Sequence, residues 1–354
     1  METKAMSYEA NVRRVVPYVP GEQPKDKNVI KLNTNENPYP PAPGWREIVA
    51  SIDEDAFRKY PDPLITDLTH AIAAYHKVDT DKVFVGVGSD DVLSMAFLTL
   101  FDSDKPVLFP DITYSFYDVW ADVYKIPYKK IPLDENFRIV ASDYNIPNGG
   151  IVIANPNAPT GILESVDFIE GILKNNPDSA VIVDEAYIDF GGETCLPLLD
   201  KYENLLVVRT FSKSRCMAGL RIGYAIGNVK MIKYISDVKF SINSYTVNTP
   251  TIALGLASLN DNEYFEECCQ RVIATRERTE EQLIKLGFKS TNSYANFLFV
   301  THKDKKASEI YEALKERKIY VRYFNKPRID NYLRISIGTD DEMETLVNTL
   351  KEIL

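Results

Sequence analysis

The sequence predicts an α/β protein with a smaller α+β unit at its C-terminal end. Three observations predict it. Short β-branched runs alternate with helical periods from residue 83 onward, which is the pattern of strands joined by crossover helices. The middle runs, GGIVIAN, AVIVDEA and NLLVVRTFS, are apolar without alternation, as in a sheet covered by helices on both faces. After about residue 287 the pattern changes to strands with the helical segments KASEIYEALKER and DDEMETLVNTLKEIL between and after them.

In order along the chain, the first 45 residues are rich in Pro and Asn and read as an extended arm plus a short strand. VFVGV (83–87) reads as a strand, DVLSMAFLTLF (91–101) as a helix, PVLF (106–109) as a strand and YSFYDVWADVY (114–124) as a helix. The three buried runs follow, then RIGYAIG (221–227) as a further strand and helical periods over roughly 229–240 and 262–286. FKSTNSYANFLFVTH, KIYVRYF and LRISIG contain the strands of the final unit. No internal repeat or low-complexity tract interrupts the pattern.

Bulk properties narrow the function. With 354 residues the chain can bury a large core and a second, smaller one. Its formal net charge is -10 and it has no Lys/Arg run, so a nucleic-acid partner is not expected. METKAMSYEA lacks the apolar stretch of a secretory signal, and no segment approaches the length of a membrane span. The four cysteines, Cys195, Cys216, Cys268 and Cys269, show no CxxC spacing, which suits a reducing, cytoplasmic compartment. His70, His76 and His302 carry no metal-ligand spacing, so no metal is expected and proton transfer falls to another group.

Polar residues collect where predicted strands end, the edge at which open α/β sheets bind ligands. GSDD (88–91) opens a helix: its amides suit an anion, although Asp90 and Asp91 equally suit first-turn capping. DEAY (184–187) puts two acids at a buried strand end, where each needs a partner. TFSKSRCMAGLRIGY sets Lys213 between Ser212 and Ser214, with Arg221 and two glycines beyond. In a crevice beside an arginine the ammonium form of Lys213 is disfavoured, and a free amine condenses with carbonyls. The hydroxyls and Arg221 suit a phosphate, and Gly219 would let backbone come close. A phosphate-bearing aldehyde answers this set, and pyridoxal 5'-phosphate is such an aldehyde. Asp184 would hold its ring nitrogen protonated, Tyr187 would bond its ring oxygen, and Tyr114 would either stack on the ring or pack within its own helix.

The ordered set LNTNENPYPP, NPNAPTG, DEAYIDF, TFSKS-x(4)-GLRIGY and YANF resembles the fold-type-I pyridoxal-phosphate aminotransferases, and within them the histidinol-phosphate branch, from about Tyr18 to Thr339. The resemblance implies a mostly parallel, seven-stranded-type sheet covered by helices, with the large domain over 46–260. It implies a small domain made of 261–354 together with the arm and strand of 1–45, and a homodimer. It implies transamination between histidinol phosphate and 2-oxoglutarate or glutamate. Lys213 would then join the cofactor and shuttle the proton, with Asp184, Tyr187 and Tyr114 around the ring. Ser89 and Asp90 backbone, Thr210, Ser212 and Arg221 would hold the phosphate, and Tyr60 of RKYPDP would reach it from the other subunit. Arg322, Arg334 and Tyr18 would surround the substrate's anion, with Asn296 supporting Arg334. The period-two pattern of LRISIG and KIYVRYF turns both arginines away from the apolar face, toward either solvent or that anion. One position departs from the family pattern: Ala158 stands where an Asn usually contacts the ring oxygen, with Asn157 one place earlier. Aromatic aminotransferases and phosphothreonine decarboxylases share the fold and are the competing readings; a non-catalytic binder would need neither Lys213 nor Asp184.

Overall fold

The computed structural model describes residues 8–26 and 28–354; residues 1–7, part of the segment read for a secretory signal, lie outside the described residues. Among the described residues twelve strands form two sheets: β1 Ile30–Leu32, β2 Val83–Gly86, β3 Val107–Pro110, β4 Tyr128–Ile131, β5 Gly150–Ala154, β6 Val181–Asp184, β7 Leu205–Thr210, β8 Gly223–Gly227, β9 Phe288–Ser290, β10 Phe297–His302, β11 Ile319–Tyr323 and β12 Leu333–Ser336. The larger sheet has seven strands in the order β2-β8-β7-β6-β5-β3-β4. Its pairs are parallel except at β8, which runs antiparallel to both β7 and β2.

Strand parity explains the helical cover. Val152, Ile182, Leu206 and Val208 pack with Val92, Leu93, Phe97, Trp120 and Ile235 from helices on one face. Their neighbours Ile151, Ile153, Val181, Val183 and Val207 pack with Ile169, Ile172 and Leu173 of the helix Val166–Asn175 on the other. Successive side chains of a strand point to opposite faces, so a strand covered on both sides must be apolar throughout. Each such side chain contributes roughly 1.5–3 kcal/mol by leaving water.

The smaller sheet has five strands in the order β1-β11-β12-β10-β9. Its first strand comes from the N-terminal segment and pairs parallel with β11, Ile30 opposite Ile319. Both ends of the chain therefore share one core, with Leu32 packed among Leu298, Val321, Leu333 and Leu346.

Several elements depart from the sequence reading, among them helices Trp45–Ala50 and Val166–Asn175, which it does not name. The helix expected over 114–124 begins only at Tyr117, which leaves Tyr114 in the turn after β3. The helix Thr249–Asn260 was not anticipated, because TPTIALGLASLN has no polar stripe. Its Gly255 fits against Ile222 and Leu68, where a Cβ would come within 2.8 Å of Ile222 Cδ1. Strand β4, YKKI, buries only its last residue, half-buries Tyr128 against Phe109 and sits at the sheet edge, so its pattern is too polar to read as buried. Among the described residues no helix is long and apolar enough to cross a membrane.

Candidate active site

Because β8 alone runs backwards, its first residue lies at the edge where its neighbours end. Gly223 is opposite Thr210 at the end of β7 and opposite Gly86 at the end of β2. A Cβ on Gly223 would sit 2.2 Å from the amide nitrogen of Ser89, so only glycine lets the strand approach the helix start that closely. At Gly219, by contrast, a Cβ would meet nothing within 4 Å; the close approach expected there belongs to Gly223. Gly88, at φ +84, turns the chain from β2 into the helix Ser89–Leu100 and leaves room for the Arg221 guanidinium. The first-turn amides of a helix have no partner within it.

At this edge a cleft of 490 Å³ opens between the two sheets, lined by Tyr18, Ser89, Asp90, Tyr114, Asp184, Tyr187, Ser212, Lys213, Arg221, Arg322 and Arg334 among others. Sequence separations of more than 300 residues meet here.

On the large-sheet side, Asp184 ends β6 with its carboxylate buried. Tyr117 donates its hydroxyl to Oδ2 at 2.9 Å and the amide of Ala186 donates to Oδ1 at 3.2 Å. Burial raises the carboxyl to about 6 even though both hydrogen bonds act to lower it. A group so placed gains most from a cation brought next to it. Glu185, the adjacent acid, points away and is satisfied by Thr194, the Cys195 amide and Arg209. Arg221 reaches Ser212 Oγ at 3.3 Å and Asp90 Oδ2 at 3.3 Å. Tyr114 donates to Asp90 Oδ1 at 2.7 Å, and burial first, then Asp90, pushes its phenol well above the usual value. The Lys213 amine lies 5.7 Å from the Tyr187 ring centre.

The small sheet contributes the other wall. Arg322 on β11 stands directly opposite Arg334 on β12. Like charges across a strand pair destabilise each other. Neither has a carboxylate within 4.0 Å among the described residues. Arg334 donates from Nη2 to the Asn33 carbonyl, yet its buried Nε has no partner among the described residues. Burial first, and Arg322 beside it, hold the Arg334 guanidinium below its usual value. Tyr18 stacks on Phe116, 4.2 Å between ring centres, and borders the same space.

Some predicted residues are placed differently. Asn296, just ahead of β10, donates its Nδ2 to the carbonyl of Asn35, and among the described residues no hydrogen bond joins it to Arg334. Thr210 lies behind the cleft, its hydroxyl on Ser212 Oγ and the Ile222 carbonyl. Tyr60 is 82% exposed, stacked on Tyr245 and outside this chain's cleft. Ala158 lines the cleft, while Asn157 spends its side chain on the Ile112 carbonyl, Thr113 and Thr160.

Sequence reasoning missed Asn35. This residue has φ +56, and its side chain donates to the Tyr187 hydroxyl at 2.9 Å. Its amide donates to Ser336 Oγ, which in turn donates to Asn35 Oδ1. The NENP segment and its left-handed Asn were the available signal. Next to it, Asn37 donates to the Lys213 carbonyl at 3.0 Å.

The family described as Aminotransferase class I and II matches residues 27–350. The chain belongs to the class I and II aminotransferases. Among similar proteins, the histidinol-phosphate aminotransferase of Lactococcus lactis subsp. cremoris (strain MG1363) is 51% identical over 99% of this chain and 98% of its own. That of Acinetobacter baylyi (strain ATCC 33305 / BD413 / ADP1) is 51% identical over 98% and 97%. Of the solved structures, histidinol-phosphate aminotransferase from Sinorhizobium meliloti in complex with pyridoxal-5'-phosphate superposes with a TM-score of 0.80 at 24% identity, covering 92% of this chain and 90% of that one. In this aminotransferase the cleft between the sheets is thus the candidate active site.

The buried acid gives a pH-dependent expectation for the cofactor-free aminotransferase. Asp184 keeps its proton to about 6 when folded but ionises near 3.8 when unfolded. Between those values the folded state binds more protons, so this group's contribution to stability falls as pH rises. Asp184→Asn removes that loss and keeps the acceptor for Tyr117. Cofactor-free Asp184→Asn is expected to be more stable than the parent at pH 8, by up to about 3 kcal/mol, and level with it near pH 3.5. Urea unfolding at the two pH values checks this; no gain at pH 8 contradicts the burial argument.

Proposed function

We propose that this chain transfers an amino group between histidinol phosphate and 2-oxoglutarate, with pyridoxal 5'-phosphate as cofactor, in histidine biosynthesis. The observation that carries the substrate assignment is the Arg322–Arg334 pair, two facing guanidiniums with no carboxylate within reach among the described residues. A phosphate dianion can take a fork from each, whereas a single carboxylate neutralises only one.

The residues fit the cofactor. The Gly88 turn, the free amides of Ser89 and Asp90, the Ser212 hydroxyl and Arg221 form a phosphate cradle, with Thr210 holding Ser212 from behind. Asp184 is a buried carboxylate short of a cation, the requirement of a protonated ring nitrogen. When bound, the cofactor supplies an electron-accepting ring that acidifies the Cα–H bond of the amino substrate. Lys213, whose amine lies 5.7 Å from the Tyr187 ring centre, would take that proton and return it. Asp184 would face the ring nitrogen and favour its protonated form. Tyr187, oriented by Asn35, would donate to the ring oxygen, where Ala158 stands in place of the family's Asn. Tyr114, fixed by Asp90, would lie against the ring. Asn296 positions Asn35. Tyr18, Arg322 and Arg334 bind the substrate's phosphate and draw the small sheet inward, excluding water.

The exposed Tyr60, beside exposed Phe57 and Leu64, supports a two-fold dimer in which Tyr60 completes the partner's phosphate cradle. The free cysteines suit a reducing cytoplasm.

Lys213→Ala is expected to abolish turnover with the circular dichroism spectrum unchanged; near-parental turnover would remove Lys213 from the reaction. Arg322→Ala should lower kcat/KM for histidinol phosphate about 100-fold, a charge-assisted pair lost, and for phenylalanine far less. Equal losses on both substrates would favour the aromatic aminotransferase reading. Sedimentation at assay concentration should give the mass of two chains, and a fully active monomer would refute the shared site.

A further inference from the structure

The cleft carries one carboxylate with no place in that scheme. Glu36 lines it beside Gln23, on the N-terminal loop immediately after Asn35. Behind it stands Lys31 of β1, which hydrogen-bonds both Glu36 Oε2 and Thr34, while Thr34 donates to the same oxygen at 2.7 Å. Burial pushes the Glu36 carboxyl up, but the Lys31 and Thr34 bonds outweigh it and hold it below the usual value. The loop is itself fixed: Gly21 of the arm presses so closely on Thr34 that a Cβ there would sit 2.8 Å from its methyl group. Oε2 thus takes both neighbours, and among the described residues no donor reaches Oε1. The side chain is 46% exposed, against 23% for Lys31, so Glu36 is the more accessible member of the pair.

An anion at this place needs a reason. Arg322 and Arg334 call for a negative ligand end, and a carboxylate in the same cleft weakens that attraction unless it recognises something else on the ligand. What it can recognise is an N–H or a cation. The amino group of the substrate has its place at Lys213, which leaves the ring.

We infer that Glu36 is a specificity residue that accepts a hydrogen bond from the ring N–H of an azole substrate, with Lys31 as its positioning residue. The inference rests on the function proposed above and deepens it: the arginines read the phosphate, and Glu36 separates imidazole from phenyl. A benzene ring in that position leaves Glu36 desolvated with no donor, which penalises it, and a site built around a polar contact rejects the analogue lacking it more strongly than an apolar pocket rejects a size mismatch.

The test compares histidinol phosphate with L-phenylalaninol phosphate, which keeps the phosphate and amine and replaces imidazole by phenyl. The parent should prefer the imidazole compound by at least about 100-fold in kcat/KM. Glu36→Leu should cut that preference by about 10–100-fold, by losing activity on histidinol phosphate and gaining it on the phenyl analogue. Lys31→Met should shift the preference the same way by less. Titration calorimetry of both ligands against each variant reads the same change as affinity, independent of turnover. If the parent fails to use histidinol phosphate, the proposed function falls. If the parent uses it but Glu36→Leu lowers both compounds equally, or leaves their ratio unchanged, the function stands and the inference about Glu36 is overturned.

Discussion

The cleft depends on how Asn35 is held. Its amide and side-chain oxygen are bound to Ser336 at the end of β12, its carbonyl to Asn296 ahead of β10, and its side-chain nitrogen to the Tyr187 hydroxyl just after β6 of the larger sheet. A buried residue in the left-handed region costs backbone energy, and it persists only where its surroundings over-determine it. Here four hydrogen bonds do so. One side chain therefore transmits the position of the small sheet to the phenol that faces the proposed cofactor ring. The same loop sends Asn37 to the Lys213 carbonyl and presents Glu36 to the cleft.

Charge in the cleft is sorted by depth and by wall. The large sheet supplies a deep carboxylate at Asp184 and a compensated pair, Arg221 with Asp90. The small sheet supplies two guanidiniums that repel one another. The proposed cofactor, with a cationic ring nitrogen beside Asp184, and a substrate anion between Arg322 and Arg334 would together satisfy both walls. A purely apolar or singly charged ligand leaves at least one buried charge unpaid, and such a charge costs several kcal/mol.

Much of the architecture was legible because it follows from local rules. Runs such as IVIA and LLVV, apolar on both parities, could only belong to a strand covered twice, and the period-two pattern of LRISIG set Arg334 opposite Leu333 and Ile335. The clustering of Lys213, Asp184 and Arg221 was legible too, since Asp184 and Lys213 stand at the ends of predicted strands and Arg221 opens the next one. What escaped was tertiary. Nothing near Asn35 in sequence announces Ser336, 301 residues away. Gly219 and Gly223 flank the same short LRI run, and only the reversed direction of β8 decides which one meets Ser89. Asn296 was assigned to its strand neighbour because adjacency in a sheet is easier to foresee than a loop crossing over it. The helix Thr249–Asn260 failed for a further reason: a helix packed on several sides has no polar stripe to betray its period.

The unneutralised arginine pair also bears on how this protein would drift or be engineered. Replacing a half-buried, mutually repelling guanidinium such as Arg334 with a long apolar side chain relieves repulsion, removes the orphaned Nε and fills the same volume against Phe297 and Phe324. A search rewarded only for heat resistance would therefore be drawn toward the arginines first and would arrive at a sturdier protein with an inert pocket. Selection for the reaction has to hold that position against a standing thermodynamic incentive to abandon it.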